Sequence, residues 1–166
     1  MSATISTHEE CFLYGSNALR NRYYLEAIAH FRKAIELERM ERPNSACTKY
    51  ISYLGLALSL AKATSNEGLK LCQQAVERDF LNPDLYCNLG IVYSRRRQKR
   101  LAFEAFGEAL ALKPGHRRTL EELAYYERRR EPIIPFLPRT HALNRTLGRF
   151  RYRFRQRFAR PPEESV

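Results

Sequence analysis

Nowhere does this chain run apolar for the ~20 consecutive residues that a membrane-spanning helix needs. Its longest candidate, LGLALSLA from Leu54 to Ala61, is far too short. The start, MSATISTHEE, lacks the basic residues and apolar run of a secretory leader, so neither a transmembrane nor a conventionally secreted protein is expected. Cys11, Cys47, Cys72 and Cys87 never form a close pair, which leaves out the spacings of zinc ribbons and of redox motifs. Their number would allow two disulfides, and buried thiols of a reducing, cytoplasmic setting are the more economical reading. His8, His30, His116 and His141 are isolated from one another and lack metal-ligand spacing. The seven glycines are scattered rather than gathered into a phosphate-cradling loop. No serine or cysteine has an evident base partner, and the adjacent Glu121 and Glu122 read as a solvated helix face. Catalysis is therefore the least supported class. No enzyme, cofactor, metal or small-molecule substrate is expected.

What the chain does have is positive charge, unevenly placed. Its 166 residues carry a net +11 and are 44% hydrophobic, enough for one ordinary domain with a core. Residues 1–94 are electrically balanced, residues 95–131 carry +5, and residues 132–166 carry +6 with eight arginines and no lysine. An anionic partner for the back half is one reading of that asymmetry, and a solvated basic face is the other.

Small residues recur along the chain at matched intervals, the mark of an internal repeat. Gly15, Gly55 and Gly90 stand 40 and 35 residues apart, following Tyr14, Leu54 and Leu89. Ala27, Gly68 and Ala102 recur at 41 and 34, and Ala34, Ala75 and Ala109 do the same. Apolar stripes at helical spacing accompany them: Ala27, Phe31, Ala34 and Ile35, then Ala102, Phe106, Ala109 and Leu110. The third copy is the cleanest, with Tyr86, Leu89, Gly90, Tyr93, Ala102, Phe106, Ala109 and Pro114. In these residues the chain resembles the tetratricopeptide repeat, W-x2-L-G-x2-Y…A-x3-F…P, with Tyr86 in the tryptophan place.

Small residues at Gly90 and Ala102 let two helices approach closely, Tyr93 and Phe106 fill the space between hairpins, and Pro114 stops the second helix. Copy one matches in kind at Cys11, Tyr14, Gly15, Ala18, Ala27, Phe31 and Ala34, but its ending, ERMERPNSA, holds about seven extra residues. Copy two has one extra residue in its hairpin turn. The resemblance implies an all-α fold: a right-handed α-solenoid of about three helix-turn-helix hairpins, at about 8–43, 48–82 and 83–116. A capping helix over 116–130 completes a domain spanning 8–131, with Leu120, Leu123 and Ala124 turned inward and Arg117, Arg118, Glu121 and Glu122 outward.

Residues 132–166 form a proline-containing linker and a basic extension. EPIIPFLPRT cannot be helical throughout, and its Ile133, Ile134, Phe136 and Leu137 are expected to dock on the repeat domain. Beyond it, Leu143, Leu147, Phe150, Phe154 and Phe158 fall within a stripe of about 80° on a helix. Residues 149–158 also alternate as a strand would. The longer stripe favours a basic amphipathic helix.

Two binding classes remain. The resemblance implies a non-catalytic adaptor or scaffold that takes a protein or peptide along a concave groove lined by the first helix of each hairpin. Position by position the lining is Phe12, Ser16, Arg20, Lys49, Ser52, Tyr53, Leu56, Cys87, Asn88, Ile91 and Arg95. Truncating Tyr53 or Leu56 is expected to weaken binding and leave the fold intact. Chaperone-binding members hold a terminal carboxylate with lysine and asparagine, but those places here carry Phe12, Ser16 and Leu56, so that specialisation is not expected. The alternative is a polyanion, nucleic acid or an anionic membrane surface, held by Arg95, Arg96, Arg97, Lys99 and Arg100 with Arg149, Arg151, Arg153, Arg155 and Arg157 of the tail.

Overall fold

Seven α-helices follow one another in the computed structural model, which describes residues 7–45 and 47–128. They are α1 (His8–Arg20), α2 (Tyr24–Glu41), α3 (Thr48–Ala61), α4 (Asn66–Arg78), α5 (Pro83–Arg95), α6 (Lys99–Leu112) and α7 (Arg117–Arg128). Residues 1–123 make one compact unit, and the end of α7 from Ala124 belongs to a second. Expectations for residues 129–166, including the docking of Ile133 to Leu137 and the choice of helix or strand for 149–158, lie outside the described residues.

Local chemistry sets the helix ends. Thr7 and Glu10 form a reciprocal capping box at the start of α1, the Thr7 hydroxyl accepting from Glu10 N–H at 3.2 Å. Ser65 accepts from Gly68 N–H, and Asn82, followed by Pro83, caps α5. α6 stops at Leu112, two residues before Pro114.

α1 and α5 end in the same turn. Tyr23 N–H reaches Ala18 C=O (2.9 Å) and Gln98 N–H reaches Tyr93 C=O (3.0 Å), with Arg22 and Arg97 left-handed at φ 66° and 62°. These are Schellman-type closures in which arginine takes the place usual for glycine. The longer turn after α3 closes differently, from Ser65 N–H to Lys62 C=O. The extra residues after copy one mostly lengthen α2, to 18 residues against 13 in α4 and 14 in α6.

Each odd helix pairs with its successor, and glycines make the contact close. A Cβ on Gly90 would stand 2.5 Å from the Phe106 ring, and one on Gly15 would stand 2.7 Å from Phe31. Phe31 and Phe106 are fully buried, so these rings anchor two of the three hairpins. Hairpins then stack. α2 packs on α3, and both α3 and α4 pack on α5. Gln73 of α4 donates to the Tyr93 hydroxyl at 3.1 Å, so Tyr93 meets the neighbouring hairpin as its place in the repeat requires. Tyr14 departs from its counterparts Leu54 and Leu89: it is 59% exposed and lies against His30.

The odd helices run parallel and in step. The fifth residue of α3, Ser52, accepts from the sixth of α5, Asn88 (2.9 Å), and Phe12 of α1 stacks on Tyr50 of α3 (5.1 Å). Their C-terminal ends, and the turns that follow them, therefore share one edge of the array. The Arg96 guanidinium shows this directly, donating to Ser65 C=O (3.2 Å) and Asn66 Oδ1 (2.9 Å) of the preceding turn.

Candidate functional site

A row of rings and cations lies along α1, α3, α5 and the start of α7. Phe12 is half-buried, stacked on Tyr50 and edge-on to Tyr53 at 5.0 Å. Lys49 Nζ sits over the Phe12 ring at 4.2 Å. From α7, Arg118 crosses to α3, donating from Nη1 to the Tyr53 hydroxyl (3.0 Å) and lying over its ring at 5.1 Å. The same Nη1 is 4.0 Å from Asp84 Oδ1 of α5. Both ends of the row thus place a cation on a ring, an arrangement that pairs apolar contact area with charge.

Asp84 also fixes the start of α7. His116 Nε2 lies 3.3 Å from Asp84 Oδ1, and its Nδ1 lies 2.7 Å from Thr119 Oγ1. Thr119 is fully buried, so this clasp turns it inward and sets the rotation of the helix. The expected facing of α7 is corrected accordingly. Arg118 and Glu122 turn inward and are half-buried, whereas Leu120 is 45% exposed. Arg117 and Glu121 face away, as a pair 2.7 Å apart. Burial pushes the Glu122 carboxyl up, against the opposing charges of Arg118 and Arg95. It pushes the Tyr53 hydroxyl up too, again against Arg118.

The expected lining divides into two groups. Arg20, Lys49 and Arg95 are exposed, and Phe12, Ser16 and Tyr53 are half-buried. Ser52, Leu56, Cys87, Asn88 and Ile91 are buried, and their placement on an open groove is corrected to the interior. For Ser52 and Asn88 the reason is the direct contact of α3 with α5, where the two side chains bond each other. Cys87 lies on the side of α5 facing Thr119, and burial raises its thiol pKa. Leu56 and Ile91 continue the Ser52 and Cys87 stripes one helical turn further on. Asn88 Oδ1 remains buried without a hydrogen-bond partner among the described residues.

Of the basic cluster, Arg95, Arg97, Lys99 and Arg100 are exposed. Arg96 is corrected to a structural tie between turns, through its bonds to Ser65 and Asn66. Arg149, Arg151, Arg153, Arg155 and Arg157 lie outside the described residues.

Asp84, His116, Arg118 and Thr119 were not expected in the site. A register signal was present for two of them: Asp84 and Arg118 occupy the second position of their helices, as Lys49 does in α3. Among the described residues no group of three metal-ligating side chains gathers, and no helix is long and apolar enough to cross a membrane.

The sequence pattern of the tetratricopeptide repeat matches residues 11–39 and 83–116, the first and third hairpins. The Arabidopsis OM64 TPR domain is similar in fold, with a TM-score of 0.55 and 20% identity over 74% of this chain and 95% of that one. So is YrrB, described as a TPR protein with an unusual peptide-binding site, with a TM-score of 0.54 and 20% identity over 74% of this chain. The similarity spans 59% of YrrB. A comparison with curated protein sequences gives no match. The first and third hairpins carry the tetratricopeptide-repeat pattern, and the paired helices and the similar solved folds agree with it.

Proposed function

We propose that this chain is a non-catalytic adaptor that takes an extended peptide segment of a partner protein along the face of α1, α3 and α5. The observation that carries the reading is the row of half-buried rings, Phe12 and Tyr53, with Lys49 and Arg118 lying over them. Rings of that kind supply contact area at little entropic cost, and the flanking cations orient a ligand. Arg20 and Arg95 extend the positive border, and Asp84 and Glu122 supply acceptors. The reading keeps a repeat domain over 8–131, closed by α7, an extension over 132–166, and a cytoplasmic setting. The polyanion alternative through the tail rests on arginines outside the described residues, so it is the second reading.

A peptide display library selected on the full-length protein tests the main reading. Selected peptides should lose at least tenfold in affinity to Lys49→Glu with Arg20→Glu, exposed sites whose substitution leaves the helical spectrum unchanged. Equal binding by the double variant would move the site elsewhere.

A further inference from the structure

The edge of the array formed by the turns after α1, α3 and α5 carries a density of cations that folding does not require. Arg22 stands in the first turn, Lys62 in the second, and Arg97, Lys99 and Arg100 around the third, all exposed. No acidic residue stands at positions 20–23, 62–66 or 95–100, and single glutamates, Glu26 and Glu67, follow in the first turns of α2 and α4. Arg100 pairs with Glu104 at 3.5 Å on the surface, and among the described residues Arg22, Lys62, Arg97 and Lys99 have no ion pair.

Two of these arginines are held at a conformational disadvantage. Arg22 and Arg97 occupy equivalent turns at φ 66° and 62°, where glycine or asparagine is favoured and a long side chain is not. A strained residue at one turn can be an accident of packing. The same charged residue strained at two equivalent turns, pointing into solvent, calls for a use of its charge.

We infer that this edge binds the phosphodiester backbone of a single-stranded nucleic acid, at a site separate from the peptide face. The cations stand on three successive turns of this edge, so a strand lying along it meets all three with its phosphates. Arginine predominates at the third turn, and its planar fork suits phosphate oxygens. Tyr23, beside Arg22 and 59% exposed, offers a ring face to a base. Asn21, Ala63, Thr64, Asn66 and Gln98, which stand between the cations, are small or polar, unlike the apolar wedge that seats a protein on a membrane.

The test uses full-length protein and fluorescein-labelled dT12 and rU12, titrated across a potassium chloride series. The key variant is Arg22→Gly with Arg97→Gly, which removes two cations while relieving both strained turns, so its melting temperature should stay level or rise. Its tail is unchanged, so any loss belongs to the edge. Losing two phosphate contacts should lower the salt slope by about 1.4 and the affinity at 0.1 M salt by about 25-fold. Arg39→Ala with Arg78→Ala, at the far ends of α2 and α4, removes the same charge and should change affinity less than threefold. Three results would overturn the inference: unchanged oligonucleotide binding by the glycine variant, an equal loss in the control pair, or no oligonucleotide binding by the wild type. In the first of these cases, lost binding to phosphatidylserine vesicles titrated in parallel would assign the edge to a membrane surface instead.

Discussion

Replacing Tyr53 by phenylalanine removes one oxygen atom from the centre of the proposed peptide face and leaves the ring in place. That oxygen accepts a hydrogen bond from Arg118 at 3.0 Å, across the width of α5. Hydrogen bonds to charged groups contribute about 1.5–3 kcal/mol when sheltered. The Arg118 side chain is 29% exposed, so water replaces part of that, leaving about 1 kcal/mol. The stacking of the guanidinium on the ring, about 0.5–1 kcal/mol, survives in the phenylalanine variant. Arg118→Ala loses both contributions, about 1.5–2 kcal/mol together. A double-mutant cycle of Tyr53→Phe with Arg118→Ala, read by urea denaturation at 222 nm, should therefore give a coupling of about 1 kcal/mol. A coupling below about 0.3 kcal/mol would show that the bridge from α7 to α3 does not hold in solution, and the start of α7 would no longer border the site.

The packing makes three further predictions. Gly90→Ala would set a Cβ within 3.0 Å of three Phe106 ring atoms, costing about 1–3 kcal/mol against a helix-propensity gain of about 1, whereas Gly107→Ala meets nothing within 4 Å and should stabilise. Thermal unfolding of the pair checks this, and a Gly90→Ala as stable as Gly107→Ala would disprove the close approach. Leu56 is 1% exposed, so Leu56→Ala should cost about 2–5 kcal/mol, while Lys49→Ala stays within about 0.5. A Leu56→Ala as stable as wild type would return Leu56 to an open surface. Glu122 has a raised pKa, so its ionisation opposes folding: its contribution to stability is greatest below the unfolded value of 4.5 and falls as pH rises through the folded one. Glu122→Gln should therefore be more stable than wild type at neutral pH, with the gap closing in acid. A gap that widens in acid would mean that Arg118 and Arg95 outweigh burial.

Much of the architecture could be read from residue spacing, because small residues and rings recur wherever two helices must touch. Gly15 with Phe31 and Gly90 with Phe106 do in three dimensions what their intervals imply. The site was harder to read. On each odd helix one stripe faces the next odd helix and a neighbouring stripe faces solvent, and both hold the same mixture of residue types. Ser52, Leu56, Cys87, Asn88 and Ile91 fell on the buried side for that reason. The rotation of α7 depends on His116 gripping Asp84, 32 positions earlier in the chain, which helical periodicity does not encode. The extra residues after copy one gave no sign of extending α2, since ERMER continues a helix as readily as it begins a loop.

Site-specific crosslinking tests the central claim most directly. A photoreactive residue placed at Arg20 or Lys49, both exposed on the proposed peptide face, should capture a library-selected peptide. The same group at exposed Glu108 of α6 should not. Equal capture from all three positions, or capture from Glu108 alone, would contradict the assignment of this face as the place where the protein binds its partner.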